Sequence, residues 1–162
     1  MSKYSRLRDR VAAELPGCRL RMPGAASDVA LLRVHTPEYL AEVKVGLASA
    51  AARRVGFPWT PEMVERSRLS VGGTLDAARA ALSEGVAVNL AGGTHHAFAH
   101  AGEGFCVFND VAVAARGLQA EGLAARLAVL DLDVHQGNGT AAIFRGDPSV
   151  LTVSVHGERN YP

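Results

Sequence analysis

Long apolar runs, aromatic rings, cysteines and net charge are all in short supply in these 162 residues, and each shortage removes a class of protein. No uninterrupted apolar stretch approaches the ~20 residues that cross a bilayer. Net charge is +1, from 17 basic and 16 acidic residues, so no basic field points to direct nucleic-acid binding or to a membrane surface. The two cysteines, Cys18 and Cys106, stand far apart without a signal-peptide pattern, which predicts reduced thiols in a cytoplasmic protein. There is no HExxH and no GK[ST], and Val107 occupies the third glycine position after Gly102-x-Gly104. Zinc-protease and nucleotide-loop readings therefore fall away. What remains is 48% apolar residues against 6% aromatics, a core of Ala, Val and Leu suited to helices on a buried sheet. The length fits one α/β domain over residues 1–162, and no repeat, low-complexity tract or linker divides it.

A helical period runs over 4–15 and stops at Pro16-Gly17. Thr36-Pro37-Glu38 supplies a cap, a proline at the first helical position and an acid in the first turn, predicting a helix over 37–52. Thr60-Pro61-Glu62 repeats the signal for a helix to about 83, broken near Gly72-Gly73. Strands are predicted at 85–93 (GVAVNLAGG), 127–133 (LAVLDLD) and 150–155 (VLTVSV), with helices at 109–121 and 139–145. Continuous apolar strands alternating with helices predict a mainly parallel sheet covered on both faces, a three-layer α/β/α fold. In such sheets ligands bind at the carboxyl ends of strands.

Polar clusters sit at those ends. Asp131, Asp133 and His135 occupy alternate positions of the second strand, hence one face. Unpaired buried charge is costly, so a partner is required. A metal ion held by the Asp133 carboxylate and the His135 imidazole would provide one, with Asp131 one step deeper orienting a histidine or holding another cation. Gly137 and Gly139 are read as allowing a tight turn there. An isolated Asp-x-His is more often a salt-bridged strand end; the whole run Asp-Leu-Asp-Val-His-Gln-Gly-Asn-Gly is more specific. His95-His96, just after the Gly92-Gly93 turn, suits acid–base chemistry near neutral pH. His35 reads as structural and His100 as surface.

Together GGTHHAFAHAGEGFCVFND (92–110), LDLDVHQGNGTAAIF (130–144) and LTVSVH (151–156) resemble the histone deacetylase family, on the arginase/deacetylase fold. The HQGNG form and the HGERNYP ending are similar to class IV and bacterial members. The resemblance implies zinc, or ferrous iron in its place, with Asp133 and His135 as two of three ligands. It implies His96 as general base, His95 as its electrostatic partner, Asp131 bonded to His95, and Asn138 beside His96 where some members have Asp. Gly104 and Phe105 are implied to line a narrow acyl-lysine channel, with Tyr161 at its mouth and Cys106 as inert wall. Asp131, Asp133, His135, Ser154 and the Val155 backbone are implied to hold a monovalent cation, usually potassium.

The implied reaction is metal-assisted removal of an acetyl or other acyl group from a lysine side chain or a small acylated amine. The family's third ligand, an aspartate, and its oxyanion tyrosine in a Gly-Gly-Tyr turn do not occur before Pro162, and its first strand is missing. The expectation is the N-terminal portion of a deacetylase domain, shortened at both ends. Two other readings compete: a remnant or interaction module of the same fold without catalysis, and a binuclear manganese ureohydrolase. The last needs Asp-x-His-x-Asp, and Gly137 stands at its final position. Oligomeric state is open.

Overall fold

The computed structural model describes residues 2–46 and 49–162. Its helices are α1 (Ser2–Glu14), α2 (Asp28–Leu31), α3 (Pro37–Val45), α4 (Ser49–Val55), α5 (Pro61–Glu84), α6 (Asp110–Ala120) and α7 (Asn138–Ile143). Strands β1 (Leu127–Asp131) and β2 (Val150–Ser154) pair in parallel, from Leu127 opposite Val150 to Asp131 opposite Ser154.

The caps act as the sequence predicts. Thr36 Oγ1 accepts from Tyr39 N at 3.3 Å and Thr60 Oγ1 from Met63 N at 3.1 Å, each ahead of a proline in the first turn. Two helix predictions need correction. The helix expected over 37–52 ends at Val45, where Gly46 turns the chain at φ 129°, and helix resumes at Ser49. Positions 47 and 48 of that prediction lie outside the described residues. The expected break at Gly72-Gly73 does not occur, and α5 runs through both. These glycines provide closeness instead: a Cβ on Gly72 would stand 1.8 Å from the Gly24 carbonyl oxygen, and one on Gly73 3.0 Å from the Asn89 side chain.

The predicted strand at 85–93 is also corrected. Among the described residues no strand pairs with it, and Val86 and Val88 are exposed. Among the described residues, helices cover one face of this part of the sheet. The inner face, with Leu127, Val129 and Val150, packs on Ala112 and Ala115 of α6 and on Phe144. Leu130, Leu151 and Val153 on the outer face are exposed. A larger cluster fixes the other helices: Leu31, Tyr39, Val43, Val55, Val71, Phe108 and Val113 close around one another. Through Phe108 and Val113 it anchors the start of α6, whose first residues brace the site described next.

Candidate active site

Asn109 and Asp110, at the head of α6, are fully buried. The Asp110 carboxylate accepts from Gly93 N at 2.9 Å, Thr94 N at 2.7 Å, Thr94 Oγ1 at 2.7 Å and Thr74 Oγ1 at 2.5 Å. Asn109 Oδ1 caps Ala112 N, while its Nδ2 donates to the Ala97 carbonyl and to Thr140 Oγ1, both at 3.0 Å. These two side chains clamp the turn before and after the histidine pair. The sequence reading missed both: an Asn-Asp pair opening an amphipathic helix is fully explained as a local cap, and nothing local shows where the spare acceptors go.

His95 and His96 are thereby held buried with their rings 4.1 Å apart. His95 Nδ1 meets Asp131 Oδ2 at 2.5 Å, and His96 Nδ1 meets Asn138 Oδ1 at 2.8 Å. Burial pushes the His96 pKa below its ordinary value; the Asn138 contact works in the opposite direction without overcoming it. Glycines admit this packing. A Cβ on Gly137 would stand 2.2 Å from Asp131 Oδ2, and one on Gly139 2.4 Å from the Ala97 carbonyl oxygen. Gly137 has φ −74°, so what the site requires there is space, not the turn conformation the sequence suggested.

Asp133 and His135 lie beyond the end of β1 and not on a continuing strand face. Each carboxylate folds onto the backbone two residues on: Asp131 Oδ1 accepts from Asp133 N at 3.1 Å, and Asp133 Oδ1 from His135 N at 2.8 Å. This double turn brings Asp133 Oδ1 within 2.9 Å of His135 Nδ1 and 3.9 Å of His95 Nε2. The His135 backbone bond leads the effects that hold the Asp133 carboxyl below its usual range. A carboxylate oxygen and an imidazole nitrogen facing each other, both partly open to solvent, suit a small divalent cation such as zinc or ferrous iron. Among the described residues no group of three such side chains converges.

The remaining predicted residues surround this centre. Glu103 and Cys106 bond back to back across a tight turn in which Gly104 (φ 55°) and Phe105 (φ 65°) are both left-handed. The turn is fastened to the end of α4, with Gly104 N donating to the Arg54 carbonyl and Phe105 N to that of Val55. A Cβ on Gly104 would stand 2.7 Å from His96 Cδ2, so a glycine is needed on both counts. The exposed Phe105 ring packs at 5.2 Å on Phe57. Tyr161 stands edge-on to His96, with ring centres 5.0 Å apart, and donates to Glu103 Oε1 at 3.0 Å. Burial raises the Cys106 thiol to about 11, away from thiolate chemistry. Ser154 Oγ accepts from Gly137 N at 3.3 Å, and Val155 N donates to the Asp131 carbonyl at 2.9 Å, so the predicted cation residues are neighbours. His35 is structural, its Nδ1 on the Phe98 carbonyl and its Nε2 accepting from Asn109 N; His100 is exposed.

Clustered at the carboxyl ends of a parallel pair, these groups belong to a known architecture. The structure is similar to a crystal structure of the HDA15 HD domain, with a TM-score of 0.76 and 27% identity, covering 96% of this chain and 45% of that one. The class is therefore the arginase/deacetylase fold. The chain belongs to the histone deacetylase domain family, whose model matches residues 2–162. It is 52% identical over 130 residues to an uncharacterised protein of Picosynechococcus, covering 80% of this chain and 43% of that protein. To the acetoin utilization protein AcuC of Bacillus subtilis it is 37% identical over 150 residues, covering 86% and 38%. To a histone deacetylase-like amidohydrolase of Pseudomonas aeruginosa it is 38% identical over 149 residues, covering 89% and 39%. The chain thus spans about two fifths of the length of these relatives. Among the described residues no helix is long and apolar enough to cross a membrane.

Proposed function

We propose that this chain carries the acid–base pair and two metal ligands of a zinc-dependent hydrolase that removes acyl groups from lysine side chains or similar small acylated amines. The observation that carries the reading is the geometry of the histidines. Each Nδ1 is engaged by a side-chain oxygen, Asp131 for His95 and Asn138 for His96, which leaves each Nε2 for chemistry. Zinc at Asp133 and His135, or ferrous iron, would supply Lewis acidity toward the acyl carbonyl and the attacking water. His96, whose neutral form burial favours, takes the water's proton at Nε2 and returns it to the departing amine. His95, bonded to the Asp131 carboxylate, stabilises the charge that develops beside it. Gly104, Phe105 and Tyr161 border a narrow approach suited to an extended acyl-lysine chain. Asp131, Asp133, His135, Ser154 and Val155 form the proposed monovalent-cation site that balances the half-buried Asp131 carboxylate. A third metal ligand and an oxyanion donor have to come from residues other than these.

The ureohydrolase reading is disfavoured on space as well as on sequence. Gly137 offers no ligand, and a side chain there would strike Asp131. To test the proposal, residues 2–162 replace the matched stretch of the Pseudomonas amidohydrolase, and the zinc-loaded chimera is assayed on an acetyl-lysine peptide. Turnover above the buffer rate is expected. A chimera that unfolds cooperatively, binds zinc and yet does not hydrolyse would overturn the proposal.

A further inference from the structure

The side chain of Asn138 can face His96 in two ways, with opposite chemical consequences. With its oxygen toward the ring, His96 must carry its proton on Nδ1, and Nε2 is left with a lone pair. With its NH2 toward the ring, Nδ1 must accept, the proton moves to Nε2, and His96 can no longer act there as a base. Asn138 alone does not decide between them, because an amide both donates and accepts.

Glu103 decides. Its Oε1 lies 3.2 Å from Asn138 Nδ2 and its Oε2 lies 3.0 Å from Arg54 Nη2, while Tyr161 donates its hydroxyl proton to Oε1. A carboxylate only accepts. Turning the amide over would set its oxygen against the Glu103 carboxylate and its NH2 toward the imidazole, exchanging a charge-assisted hydrogen bond for a repulsive oxygen pair. Burial alone would favour the neutral acid, but the donors Arg54, Tyr161 and Asn138 outweigh it and hold the Glu103 carboxyl below its ordinary value. The backbone is held too, since Glu103 N and O both bond to Cys106 in the turn tied to α4.

We propose that Glu103 is a positioning residue: acting through Asn138, it fixes His96 as the Nδ1–H tautomer and so aims the Nε2 lone pair into the site. Its meaning for hydrolysis rests on His96 being the base proposed above, but the tautomer itself can be read without metal, substrate or turnover. The test is long-range proton–nitrogen NMR of the 15N-labelled chain at pH 8, with the His96 signals assigned by their loss in His96→Gln. The wild-type chain is expected to show a protonated Nδ1 and an unprotonated Nε2. In Glu103→Ala the ratio of Nδ1–H to Nε2–H should fall at least tenfold, while amide spectra show the fold retained. In Glu103→Ala/Asn138→Asp it should return, because a carboxylate at position 138 accepts whatever stands behind it. A loosened turn would not be repaired that way. An Nε2–H wild type, an unchanged ratio in Glu103→Ala, or no return in the double variant would each overturn the proposal. A correct tautomer with no hydrolysis in the chimera would instead refute the base assignment and leave this inference standing.

Discussion

Removing the Asp110 carboxylate should destabilise the fold, because it braces the turn that precedes the histidine pair. Asp110→Ala leaves four donors without their acceptor: Gly93 N, Thr94 N, Thr94 Oγ1 and Thr74 Oγ1. The two hydroxyls can turn elsewhere, and Thr74 already approaches the Ser70 carbonyl at 3.4 Å. The two backbone N–H groups cannot. Gly93 lies at the surface, where water can replace the carboxylate, whereas Thr94 is half-buried; at roughly 1–3 kcal/mol for a buried donor left unmet, the loss should be about 1–3 kcal/mol. That is a measurable share of the roughly 5–15 kcal/mol that holds a domain together. Urea unfolding followed by circular dichroism measures it; with a slope of about 2 kcal/mol per molar, the midpoint should fall by about 0.5–1.5 M. Asp110→Asn, which keeps one acceptor but turns an NH2 on the other donors, should fall about half as far. A midpoint for Asp110→Ala within about 0.3 M of wild type would refute the claim that this carboxylate organises the histidine turn.

Three further predictions use other parts of the molecule. Gly137→Ala puts a methyl group 2.2 Å from Asp131 Oδ2, so it should cost about 1–3 kcal/mol in the same urea assay and shift the His95 Nδ1–H proton resonance. His35, whose pKa burial lowers from 6.5 to about 4, is neutral in the fold, and the unfolded chain takes up its proton first as pH falls. Its share of stability is complete above about pH 6.5 and is lost on the way down to about pH 4, roughly 3 kcal/mol in all. Urea midpoints at pH 7 and pH 5 should show this decline for wild type and a flatter one for His35→Gln. Asp133→Ala should bind zinc at least about tenfold more weakly than the wild-type chain in equilibrium dialysis, since it removes one of the two proposed ligands.

Where one run of residues carries its own signal, the sequence was a sufficient guide. The apolar runs predicted as strands at 127–133 and 150–155 form the parallel pair over Leu127–Asp131 and Val150–Ser154, and Thr36 and Thr60 cap the helices they announce. What failed were local rules applied where a distant contact decides. Gly72-Gly73 reads as a helix breaker until the Gly24 carbonyl is seen lying against it. The run at 85–93 has strand composition, but strand is a property of pairs, and no partner lies beside it among the described residues. The site divides in the same way. The histidine pair and the Asp-x-His step each lie within one short run, so each could be named as a candidate from the sequence. Their supports join positions 35 to 109, 74 to 110, and 54 to 103 to 138, which a single sequence does not connect. Even Asp133 and His135 come together by side-chain turns beyond the strand rather than by its alternation.

Whether His96 is the base of a metal-assisted acyl hydrolysis can be read from a single comparison. Turnover of an acetyl-lysine peptide is measured for the chimera with the Pseudomonas amidohydrolase, with and without His96→Ala, and zinc content is determined on the same samples. Turnover should fall about 10²–10⁴-fold in His96→Ala with zinc retained. Near-normal turnover by a zinc-loaded His96→Ala chimera would contradict the assignment of His96 as base.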